Sequence, residues 1–107
     1  TMLVQDYVPR GLFAGTTVFV TGGGSGINLG IARNFAALGA SVAICGRRQE
    51  RLDAAAQELR ALGATVHAEA ADVRDYARLE TVMGNAQAAL GPIGVLVCGA
   101  AGNFPVP

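Results

Sequence analysis

Thr17-Val18-Phe19-Val20-Thr21-Gly22-Gly23-Gly24-Ser25-Gly26-Ile27-Asn28-Leu29-Gly30 is the stretch that decides how the rest of the chain is read. A β-branched apolar run passes through three consecutive glycines into a pattern that sets Ile27, Ile31, Phe35 and Leu38 on one helical stripe. Strand, glycine turn and helix in immediate succession make a βα corner suited to a phosphate. Glycines reach torsions that side chains forbid and leave room for a pyrophosphate to approach the main chain. The unpaired N–H groups of the first helical turn then point at the anion.

Spacing narrows the type of corner. G-x-G-x-x-G fails, because it meets Ile27 when started at Gly22 and Leu29 when started at Gly24. The Walker pattern fails because the chain has no lysine. T-G-x-x-x-G-I-x fits, with Thr21, Gly22, Gly26 and Ile27 in place. This loop resembles the cofactor loop of the short-chain dehydrogenase/reductase family, with Asn28 where that family usually carries a third glycine. The resemblance implies nucleotide contacts from Gly22, Gly24, Ser25, Gly26 and Ile27.

Outward from the loop, the pattern repeats. Ser41 to Cys45 reads as a second buried strand, and Gln49 to Leu62 as an amphipathic helix with Leu52, Ala55, Ala56, Leu59 and Leu62 inward. Ala64 to Ala71 reads as a third, more polar strand suited to a sheet edge. Asp75 is placed to cap a third helix carrying Leu79, Val82, Met83, Ala86 and Leu90 inward. Ile93 to Cys98 is a fourth strand, apolar throughout. Gly39, Gly63 and Gly91-Pro92 end the three helices. Alternating strands and helices imply a parallel sheet with right-handed crossovers. The expected fold is the N-terminal half of a Rossmann-type, doubly wound α/β sheet with strand order 3-2-1-4. Residues 1–14 read as an arm and 15–107 as the nucleotide-binding half-domain.

Composition sets the limits. Eight arginines balance eight acids, so no global field favours nucleic acid or a membrane surface. No apolar run reaches membrane-spanning length. Cys45 and Cys98 lack metal or redox spacing and read as small buried hydrophobes in a reducing, cytoplasmic setting. His67, the single histidine, falls in the edge strand, away from the ligand crevice. No metal site is expected.

Ligands of such sheets bind beyond the carboxyl ends of the strands. The end of strand two has no acid between Gly39 and Glu50 and offers Arg47 and Arg48 instead. A guanidinium matches a 2′-phosphate, so the expected cofactor is NADP(H). In the resembling family the residues matching Asp72 and Val73 hold the adenine ring. The family's Asn-Asn-Ala-Gly at strand four is here Cys98-Gly99-Ala100-Ala101-Gly102, which leaves Gly99 and Ala100 to line the cofactor through their backbone. Asn103 and Phe104, with Asp72-Val73-Arg74-Asp75, resemble the 2,4-dienoyl-CoA reductase branch. That resemblance implies that Asn103 polarises the substrate carbonyl while Arg74 and Phe104 hold an acyl-CoA.

The family's catalytic Ser, Tyr and Lys are not matched: Tyr7 and Tyr76 have no lysine four residues on. We therefore expect the cofactor-binding half of an NADP(H)-dependent reductase acting on an enoyl-CoA, dienoyl-CoA or carbonyl substrate. Its partners would be that small molecule, the remaining half of the same protein and further copies in a homo-oligomer. This chain alone would not turn over. The alternative is a non-catalytic NADP(H)-binding sensor or scaffold. A methyltransferase is disfavoured, since its strand-two end wants an acid for the ribose.

Overall fold

The computed structural model describes residues 13–22 and 26–98, and of Ile27 the backbone alone. Four strands and three helices alternate: β1 (Thr17–Thr21), α1 (Gly26–Ala37), β2 (Ser41–Gly46), α2 (Gln49–Ala61), β3 (Val66–Ala70), α3 (Tyr76–Leu90) and β4 (Ile93–Cys98). The strands form one parallel sheet in the order β3-β2-β1-β4. This is the expected Rossmann-type order. The central position of β1 follows from its composition: every residue from Thr17 to Thr21 is buried, as a strand covered on both faces requires.

Two cores flank the sheet. On one side Val18, Val20, Val42 and Ile44 meet Ala32 and Ala36 of α1 and Leu52, Ala55, Ala56 and Leu59 of α2. On the other, Phe19, Ala43 and Cys45 meet Val82 and Ala86 of α3. Each fully buried Val, Leu or Phe contributes about 1.5–3 kcal/mol, so the two layers hold the sheet from both faces.

Helix ends follow their signals. Gly39, Gly63 and Gly91 take φ of +95°, +93° and +105°, a region that side chains resist. Asp75 caps α3, its carboxylate accepting from the Arg78 amide at 3.1 Å.

Several expectations are corrected. On α1 the seam against the sheet is made by Ala32 and Ala36, while Ile31 and Phe35 are only half-buried. Small residues let that helix lie close to the strands, and Phe35 packs edge-on against Phe13 with ring centroids 5.1 Å apart. Leu62 is half exposed because α2 ends at Ala61 and the chain turns away through Gly63. Strand β3 is shorter than Ala64 to Ala71. As befits an edge strand, β4 has one face uncovered: its residues alternate, with Val95 and Val97 packed on the α1/α2 core and Leu96 51% exposed. The reason is that α3 lies mainly over β1, β2 and β3 and meets β4 at its first residue, Ile93. Cys98 faces outward on that same stripe, so only Cys45 behaves as a buried hydrophobe.

Candidate functional site

All four parallel strands deliver their carboxyl ends to one rim of the sheet. The Gly22 amide donates to the Cys45 carbonyl, and the Ala71 amide donates to the Gly46 carbonyl at 2.8 Å. These two bonds extend the ladders past the strands and align the start of the glycine loop, the Arg47-Arg48 turn and the Asp72 turn. Gly22 and Gly26 have φ of +69° and +61°, the left-handed region in which a side chain is strained. Among the described residues, a Cβ at Gly26 would meet no atom within 4 Å. The first turn of α1 carries no acid that would compete with an anion for its N–H groups.

Arg47 and Arg48 are exposed, and among the described residues neither joins an ion pair. Arg48 is the N-cap of α2 in an extended conformation (φ −112°, ψ 107°) and its side chain caps nothing. Both guanidiniums therefore stand at a helix N-terminus, where the dipole disfavours cations and favours an anion. Arg47 lies close enough to Asp72 for its charge to act on that carboxylate.

Asp72 sits two residues beyond β3, in a turn closed by the Asp75 amide on the Asp72 carbonyl at 2.9 Å. Among the described residues its carboxylate is hydrogen-bonded by Arg74 alone. Oδ1 accepts from the Arg74 backbone amide at 2.9 Å and from Nε at 3.1 Å, and Oδ2 accepts from Nη2 at 2.9 Å. Those bonds, with a smaller contribution from Arg47, hold the Asp72 pKa at about 2. Val73 is half-buried beside it. Gly24, Ser25, Gly99, Ala100, Asn103 and Phe104 lie outside the described residues, as does the side chain of Ile27.

Two supporting groups carry no motif. Gln49, at the first position of α2, accepts from the Ala70 amide at 3.0 Å and donates to Asp53 at 2.8 Å. It thereby fastens the arginine turn to the end of β3. Glu69 accepts from His67 at 2.9 Å, from Asn85 at 3.1 Å and from Arg78 at 3.0 Å, joining β3 to α3. Burial opposes the charge on Glu69, but these donors outweigh it and hold the carboxyl below its usual range. Under the rim, burial first of all pushes the Cys45 thiol up, with Glu69 adding to the shift. Cys45 is thus a poor nucleophile. No group that could hold a metal ion occurs among the described residues.

The model of the short chain dehydrogenase family matches residues 16–107. The chain belongs to that family. It is 41% identical over 90 residues to a peroxisomal 2,4-dienoyl-CoA reductase of Arabidopsis thaliana, covering 84% of this chain and 30% of that protein. Among solved structures it is similar to a citronellol catabolism dehydrogenase of Pseudomonas aeruginosa, with TM-score 0.78, 42% identity and coverage of 83% of this chain and 37% of that one. It is also similar to the L-sorbose reductase of Gluconobacter frateurii solved with NADPH and L-sorbose, with TM-score 0.80, 30% identity and coverage of 89% and 36%. The chain spans between 28% and 33% of the length of the curated relatives it matches. Among the described residues no helix is long and apolar enough to cross a membrane.

Proposed function

We propose that this short-chain dehydrogenase chain binds NADP(H) along the rim formed by Gly22, Arg47 and Asp72. The observation that carries the reading is the placement of Arg47: exposed, free of any ion pair among the described residues, and beside the strand-three carboxylate. The diphosphate would rest on the loop from Gly22 through Gly24, Ser25, Gly26 and Ile27. Arg47, helped by Arg48, would hold the 2′-phosphate. Asp72 and Val73 would hold the adenine, and Gly99 and Ala100 would line the nicotinamide side through their backbone. The NADPH in the L-sorbose reductase structure supports the cofactor class.

The bound cofactor supplies hydride. The residues of this chain bind and orient it and set which phosphate pattern is accepted. The lysine that would partner a proton donor is not among them, since the chain has no lysine. The substrate would be an enoyl-CoA, dienoyl-CoA or carbonyl compound, a reading supported by the identity to the dienoyl-CoA reductase and by the Asn103-Phe104 pair. Asn103 would polarise its carbonyl, and Phe104 would pack on its acyl chain.

The test is titration of the protein with NADPH and NADH. Binding of NADPH at least tenfold tighter than NADH is expected, since a charge-assisted bond is worth about 1.5–3 kcal/mol. Failure to bind either nucleotide would overturn the reading.

A further inference from the structure

A lone carboxylate that selects a base by accepting one N–H must present a lone pair in a set direction. Free to rotate, it would lose that direction, and ordering it on binding costs affinity. Asp72 is not free to rotate. A carboxylate has about four acceptor positions. Arg74 occupies three of them through its own amide, Nε and Nη2. Among the described residues the fourth position, on Oδ2, has no donor.

The pair itself is a weak device for stability. The Arg74 side chain is 75% exposed and that of Asp72 34% exposed, and ion pairs so open to water are screened. Its geometry is nonetheless tight: two charge-assisted bonds in a fork, plus an amide bond, all from one residue two positions along the chain. A contact that adds little to folding but fixes a functional group at the ligand rim is best explained by what it presents. Resting on the reading of the rim as the cofactor site, we propose that Arg74 is a positioning residue that leaves Asp72 one directed acceptor, and so makes the site select an amino-bearing purine. Adenine offers an N–H donor there; hypoxanthine offers a carbonyl oxygen, which the carboxylate repels. This role places Arg74 with the cofactor rather than with the acyl-CoA expected from the resemblance.

The experiment compares NADPH with its hypoxanthine analogue, deamino-NADPH, by calorimetric titration of the purified protein and of Arg74→Ala and Arg74→Lys. The unaltered protein is expected to prefer NADPH about tenfold. Both variants should bind NADPH about three- to tenfold more weakly and prefer it no more than about threefold, because Lys cannot span both oxygens. Their melting temperatures and their preference for NADPH over NADH should not change, the latter being set by Arg47. A tenfold preference for the adenine form in Arg74→Ala would overturn the inference and leave the cofactor site intact. So would equal weakening for both bases. No NADPH binding by the unaltered protein would overturn the cofactor site as well.

Discussion

The amide of Gly22 donates to the carbonyl of Cys45 across 2.6 Å. Through this bond the first glycine of the loop and the strand that leads into Arg47 share one register, so a shift in either is felt by both. Gly22 holds φ of +69°, where an L side chain costs about 1–2 kcal/mol. Gly22→Ala is expected to lower stability by about that amount in chemical denaturation and to weaken NADPH binding more than tenfold. Unchanged affinity in a folded Gly22→Ala protein would show that the loop does not cradle the diphosphate.

Arg47 is tested by charge reversal. Arg47→Asp should weaken NADPH at least tenfold while leaving NADH within about threefold, because the carboxylate repels a 2′-phosphate yet accepts from a 2′-hydroxyl. Equal losses for the two nucleotides, measured by fluorescence titration, would move the phosphate contact elsewhere.

The Glu69 cluster predicts an acid limb of stability. Its folded pKa lies below the ordinary 4.5. A depressed carboxyl contributes stability that is fully present above the unfolded value and lost as pH falls through the folded one. Melting temperature should therefore decline as pH drops below about 4.5. Glu69→Gln should flatten that decline and cost about 1–3 kcal/mol at neutral pH, since His67, Asn85 and Arg78 lose a charged acceptor. Thermal scans from pH 3 to 7 check both.

Two further substitutions separate helix end from helix face. Asp75→Ala removes the bond to the Arg78 amide and should cost about 1 kcal/mol. Leu59→Ala empties a fully buried position between α2 and the sheet and should cost about 2–5 kcal/mol. Urea denaturation distinguishes them by magnitude.

The strand order, the helix ends and the glycine corner were legible because each depends on local pattern: β-branched runs, apolar spacing and glycines with positive φ. What stayed hidden depends on neighbours. The apolar run Ile93 to Cys98 does not say which of its two stripes faces a helix, so the outward position of Cys98 could not be foreseen. The large residues of α1 mark a stripe in the sequence, whereas the close seam needs the small Ala32 and Ala36. The fork from Arg74 onto Asp72 has no signature in residue types, because it depends on a turn that folds one onto the other. Gln49 is silent in the same way, its partner being an amide on a different strand.

Strand β1, at the middle of the sheet, is made early and completed late. Seventy-three residues separate Thr17 from Leu90, whose carbonyl it bonds beside the last strand. At elongation rates of about 5–20 residues per second, Val18, Phe19 and Val20 wait roughly 4–15 s on the ribosome for their second neighbour. Biosynthesis thus passes through an interval in which the segment beside the glycine loop is sticky, and a holding chaperone would find its substrate there.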